Sequence, residues 1–150
     1  MTIFQSMNTT ASALTAQRLR MDVISSNMAN VDSTRAEYVN GQWQPYKRKI
    51  VVMQPAEGGF SSFLNQAMNI SESVGSGVKV TRIVEDNTPF KMVYDPEHPD
   101  ADKNGYVALP NVDPLKEMVD LISATRSYEA NVTVFNASKA MMMKALEIGK

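Results

Sequence analysis

Residues 111–149, "NVDPLKEMVDLISATRSYEANVTVFNASKAMMMKALEIG", decide the fold. Asp113 is placed to cap a helix, with Pro114 at the first helical position, where a missing N–H costs nothing. From Leu115 to Ile148 no Gly or Pro intervenes, so one helix of about 50 Å is expected at 1.5 Å per residue. Leu121, Tyr128, Phe135 and Met142 recur seven residues apart, and Ala124, Val132, Ala145 and Leu146 fill a second row. That is the narrow stripe of a helix that packs along another helix. Gly149 supplies the stop.

A partner stripe lies at the other end of the chain. Met7, Leu14, Met21 and Met28 share the same seven-residue spacing, with Ala11, Ile24 and Val31 at offsets of three or four. The two rows are expected to zip into an antiparallel coiled-coil pair, with Phe135 opposite the middle of the N-terminal helix. Between them the composition changes. All seven prolines fall in 45–114, six of the seven glycines in 41–105, and eight of the eleven aromatics in 38–106. Strands are predicted over 47–53, 78–85, 90–94 and 106–110, with Asn40-Gly41 and Asn104-Gly105 as turns. Residues 65–77 read as an exposed loop. The expected fold is mainly α: an N-terminal axial helix (1–35), an inserted antiparallel β unit (36–110) and a C-terminal axial helix (111–150). Trp43, Tyr46, Val52, Val80, Ile83, Phe90 and Val93 are the expected core of the insert.

Composition removes several function classes. A hydrophobic fraction of 43% and a charged fraction of 21% belong to a folded chain. A net charge of -1 gives no electrostatic case for nucleic acid or an anionic membrane. Without cysteine there is no disulfide, thiol chemistry or thiolate metal site. The first twenty residues lack a basic segment followed by an apolar core, so no cleavable signal is expected. No apolar run approaches the ~20 residues of a membrane span.

Chemical motifs are sparse. "DADKNG", residues 100–105, copies the opening of a calcium loop, but position twelve is Asn111 where a Glu should stand, and its flanks read as strands. An Asp/Asn/Pro turn accounts for it, and a secreted calcium-binding adaptor is the alternative reading. His98, the only histidine, is expected to be a solvated loop residue. Glu85-Asp86 reads as solvent-facing charge. Lys47–Lys49 reads as the polar start of a strand or a contact for an acidic partner. No nucleophile elbow or phosphate-binding glycine loop occurs. No catalytic residue, cofactor, metal or small-molecule substrate is assigned.

The N-terminal helix has an unusual skin. Between Gln5 and Thr34 only Arg18, Arg20, Asp22 and Asp32 are charged, while Ser, Thr, Asn and Gln recur throughout. A two-helix hairpin with one stripe per helix buries too little surface to offset its ordering entropy. Small uncharged faces are cheaper to desolvate than Lys or Glu. These faces are therefore expected to meet other helices in an assembly. Eleven methionines suit packing against non-identical neighbours.

Two long motifs then carry a resemblance. "TAQRLRMDVISSNMANVDSTR" (15–35), with Ser26, Asn27 and Asn30, resembles the N-terminal motif of bacterial flagellar axial proteins. "SATRSYEANV", with Ser123, Arg126, Tyr128, Ala130 and Asn131, resembles the core of their C-terminal helix. "PYKRK" and "DPEHPDADKNGYVALPNVDP" are most similar to the proximal members of the basal-body rod protein family. The resemblance implies a structural, non-enzymatic subunit of a hollow helical shaft that transmits torque from rotor to hook. It implies export through the flagellar type III apparatus without a cleaved signal. The implied partners are copies of itself, other rod proteins, the export-gate junction protein and the distal rod.

Overall fold

The computed structural model describes residues 3–39, 41–56, 68 and 77–149. Helix α1 spans Ile3–Ala29, and its last turn tightens as Asn30 N and Val31 N donate to the carbonyls of Asn27 and Met28. Helix α2 spans Pro114–Ile148. Asp113 caps it as expected, its Oδ1 accepting the Leu115 N–H at 3.0 Å.

Between the helices the described residues form three antiparallel two-stranded ribbons. β1 (Glu37–Val39) and β2 (Gln42–Gln44) place Tyr38 opposite Trp43. Gly41 turns between them at a φ of 85°, a conformation that costs a glycine little. β3 (Lys49–Pro55) pairs with β4 (Val78–Glu85). The Arg48 carbonyl accepts from Asp86 N at one end of this ribbon, and Gly77 O accepts from Ala56 N at the other, so the strands run antiparallel. β5 (Lys91–Tyr94) pairs with β6 (Tyr106–Leu109), with Val93 opposite Val107. Gly105 has a φ of 78°, and a Cβ there would stand 2.9 Å from Tyr94 Cε2. Conformation and space both demand glycine.

The inserted β part is present, but not as one sheet around a single core. Tyr46 is buried, whereas Trp43 is 56% exposed and Ile83 48% exposed. A two-stranded ribbon has no second layer of its own, so its side chains are covered only where a helix or loop reaches them. β1 and β2 were not anticipated as strands, although Gly41 falls at the expected turn; Asn40 lies outside the described residues. So does nearly all of the expected loop at 65–77.

Contacts group the chain into two units, Met1–Leu19 with Val52–Arg82 and Ala124–Lys150, and Arg20–Val51 with Ile83–Ser123. The helices pack together and contribute to both. In the second unit Arg20 meets Asp120 and Asn27 meets Glu117. Position rises along α1 as it falls along α2, so the pair is antiparallel. Val23, Ile24, Tyr46, Val107 and Val112 are buried there. Among the described residues of the first unit the buried ones are small: Thr10, Ala16, Ala124 and Ser138. Ser12 Oγ of α1 accepts the Val78 N–H at 3.0 Å, tying the start of β4 to the helix.

Candidate assembly surface

The best-organised side chains are a buried polar network in the second unit. Asn27 is 1% exposed and uses its whole amide. Nδ2 donates to the Lys49 carbonyl at 2.9 Å and to Glu117 Oε2 at 3.1 Å. Oδ1 accepts the Lys49 N–H at 2.9 Å and the Tyr46 hydroxyl at 3.0 Å. The amide therefore pairs with both peptide groups of Lys49, as a neighbouring strand would. Glu117 has no exposed surface, and its Oε1 accepts from Arg48 Nε at 2.6 Å. The Arg48 guanidinium reaches Asp86 and Asp120, each at 3.5 Å, and Asp120 also meets Arg20. Asn111 Oδ1 accepts from Arg48 N, while its Nδ2 donates to Asp86 O and to both oxygens of Thr88.

The electrostatics are mutual. Burial works against the Arg48 charge, yet the hydrogen bond and charge of Glu117, then those of Asp86, hold its pKa above the ordinary value. Asp86 is held below the usual carboxylate range, first by the Thr88 N–H and then, against a desolvation cost, by the Thr88 hydroxyl and Arg48. A buried carboxylate without such partners would be costly. Here every ionised member has at least one. This network fixes α1, α2 and the start of β3 in one register.

Several polar side chains of α1 are satisfied by their own helix, although Gln17 Oε1 is buried without a partner among the described residues. The hydroxyls of Thr9, Thr10, Ser12 and Thr15 donate to carbonyls three or four residues earlier on their own helix. Asn30 Nδ2 does the same to Ser26 O, and on α2 Asn131 Nδ2 donates to Ser127 O and Thr133 to Glu129 O. A donor already bonded to its own backbone can be covered without leaving an orphaned polar group.

The expected seam residues Met7, Leu14, Met21, Met28, Leu121, Tyr128, Phe135 and Met142 are all half-buried. On α2 the neighbouring heptad row lies deeper: Glu117, Ala124 and Ser138 are buried and Asn131 half-buried. On α1 the buried positions are Thr10, Ala16, Val23, Ile24 and Asn27. The opposite face of the first turns of α2 is apolar and open, with Leu115 75%, Val119 66%, Ile122 52% and Met118 49% exposed. Their i, i+3, i+4, i+7 spacing makes them one continuous stripe.

Comparison with known proteins settles the family. A family model described as flagella basal body rod protein matches residues 7–36. Another, described as flagellar basal body rod FlgEFG protein C-terminal, matches residues 103–148. The flagellar basal-body rod protein FlgC of Bacillus subtilis is 64% identical over 150 residues, covering 100% of both chains. The chain belongs to the FlgC family. FlgC of Borreliella burgdorferi is 44% identical across 99% of this chain and 98% of its own. FlgC of Aquifex aeolicus is 37% identical across 100% and 99%. The chain is thus a structural subunit of the flagellar basal-body rod.

Within the FlgC-like motifs, Asn27 is the centre of the network. Ser26 is exposed and lends its carbonyl to Asn30, whose Oδ1 accepts the Ser33 hydroxyl at 3.2 Å. Tyr128 and Asn131 are half-buried, while Ser123 and Arg126 are exposed on α2. Sequence reasoning passed over Glu117, Arg48, Asp86 and Tyr46 as network members. Glu85 is exposed as expected and pairs with Lys47, whereas Asp86, also expected to face solvent, is half-buried against Arg48.

The calcium reading of residues 100–105 finds no support. Asp100, its first ligand position, is occupied by Thr34 Oγ1 at 2.8 Å and by the Arg35 guanidinium. Among the described residues no group of three or more His, Asp or Glu side chains is placed to hold a metal ion. The hollow of about 290 Å³ lined by Glu37, Tyr46, Lys47, Lys49 and Glu85 carries an internal Lys47–Glu85 pair. His98, expected to be solvated, is half-buried.

Proposed function

We propose that this subunit builds the proximal rod by helical assembly, forming part of a hollow shaft that carries torque from rotor to hook. Residues 1–35 and 111–150 act as its axial segments and 36–110 as the inserted domain. It assembles with copies of itself and other rod proteins, meeting the export-gate junction protein at one end and the distal rod at the other. It reaches the cell envelope through the flagellar type III apparatus without a cleaved signal. Its work is mechanical, with no catalysis, cofactor or nucleic acid.

The observation that carries this reading is the open stripe Leu115, Met118, Val119 and Ile122 on α2. A large exposed apolar stripe marks an interaction surface, and a neighbouring subunit's helix is the occupant that fits it. The seam Met7, Leu14, Met21, Met28, Leu121, Tyr128, Phe135 and Met142 holds the two axial helices together within the subunit.

Two variants separate these roles. Val119→Asp adds charge to the open stripe, so the purified chain should melt as the parent does, while cells are non-motile and lack rods beyond the export gate. Phe135→Asp places a carboxylate on the seam and should lower stability as well. Phe135→Ala, at a half-buried site, should cost about 2 kcal/mol, below the full-burial range. Normal swimming by the Val119→Asp strain overturns the stripe assignment. Normal swimming by the Phe135→Asp strain overturns the seam.

A further inference from the structure

We propose that His98 is an acid-sensitive latch controlling how the 95–105 loop grips the segment that leaves α1. The grip is made by Asp100, whose Oδ2 accepts the Thr34 hydroxyl at 2.8 Å and whose Oδ1 accepts Arg35 Nε at 2.5 Å. These partners stand 65 and 66 residues apart in the chain, so the grip ties distant segments together. His98 sets the backbone beneath it: Nδ1 accepts the Asp100 N–H at 3.1 Å. The loop closes around that point as His98 N donates to Asp95 O and Ala101 N to His98 O.

An Nδ1 that accepts a hydrogen bond carries no proton, so this arrangement requires the neutral ring with its hydrogen on Nε2. Imidazole is the side chain whose charge ordinarily changes between about pH 5 and 8. Protonation replaces the acceptor with a donor aimed at the Asp100 N–H, and the two cannot coexist. The charged groups nearest this point are Asp100 and Asp95 of the loop, the Asp95 carboxylate accepting the Glu97 N–H, and Arg35 from the segment after α1. The imidazolium must leave the Asp100 N–H, so the turn that presents the Asp100 carboxylate loses the bond that closes it. The carboxylate is held below its usual range, by the Arg35 hydrogen bond first and then by Thr34. Asp100 therefore stays ionised, and an opened turn no longer holds its carboxylate against Thr34 and Arg35. On the acid side the grip on Thr34 and Arg35 loosens.

The test uses ¹⁵N-labelled full-length chain at pH 8 to 5. In the parent, the Asp100 amide and the Arg35 Nε–H resonances should move together, with the midpoint of the His98 ring signals. The heteronuclear NOE of residues 34 and 35 should fall on the acid side. His98→Asn keeps an acceptor that does not titrate, so both resonances and the NOE should be pH-independent with the grip retained. His98→Ala should also be pH-independent, but with the low NOE at every pH. Resonances and NOE that stay constant in the parent, or that titrate equally in His98→Asn, overturn the latch.

Discussion

Removing the Asn27 amide tests whether the buried network holds the second unit together. Asn27→Ala withdraws four hydrogen bonds. Lys49 is an exposed residue, so water can replace the partner of its peptide groups. The Tyr46 hydroxyl and Glu117 Oε2 are buried and left unpaired, at about 1–3 kcal/mol each. The expected loss is about 4 kcal/mol, a large share of the ~5–15 kcal/mol that stabilises a typical domain. At roughly 4–8 °C per kcal/mol for a unit of this size, the melting temperature should fall by about 15–30 °C. Trp43, the only tryptophan, lies in this unit, so its fluorescence reports the transition. Asn27→Asp adds a sharper signature. It keeps the shape but sets a second carboxylate beside Glu117, which raises the carboxyl pKa in the folded state. Stability from such a group is present below its unfolded value, near pH 4, and is lost as pH rises. Its deficit relative to the parent should therefore be smaller at pH 4 than at pH 7. Asn27→Ala within 1 kcal/mol of the parent, or an Asn27→Asp deficit equal at both pH values, would refute the reasoning.

Asp86, held below the usual carboxylate range by Thr88 and Arg48, contributes stability that is present above its ordinary pKa and lost as pH falls through the folded one. Urea midpoints from pH 6 to 2.5 should therefore drop less steeply in Asp86→Asn than in the parent; parallel slopes would remove Asp86 as a cause. A Cβ on Gly77 would lie 2.4 Å from Ser12 Oγ. Gly77→Ala should therefore break the tie between α1 and Val78, while Ser12→Ala combined with it should cost less than the sum of the single changes, by about 1 kcal/mol. Strictly additive chemical-denaturation energies would show that the two residues do not touch.

The helices were legible because their signals are local. Asp113-Pro114 and the heptad row from Leu121 to Met142 need no distant residue to be read. β3 through β6 were readable for the same reason, from β-rich runs bounded by turns. The network was not. Glu117 occupies a heptad position next to the apolar row, and a pattern of polar and apolar residues assigns a carboxylate there to solvent. Its burial depends on Arg48, 69 residues away, and on Asn27, 90 residues away. Neither leaves a trace near Glu117. Trp43 misled in the opposite sense, because hydrophobicity foretells burial only where a second layer exists to provide it.

The self-bonded hydroxyls of α1 also determine what the medium can do to the surface they form. Charged contacts weaken as ions screen them over about 8–10 Å at ordinary salt. A face of threonines and serines bonded to their own carbonyls presents almost no charge to screen. Contacts made through it rest on close packing and on hydrogen bonds shorter than any screening length. A shaft joined through such faces would hold at the same strength in dilute water and in brine.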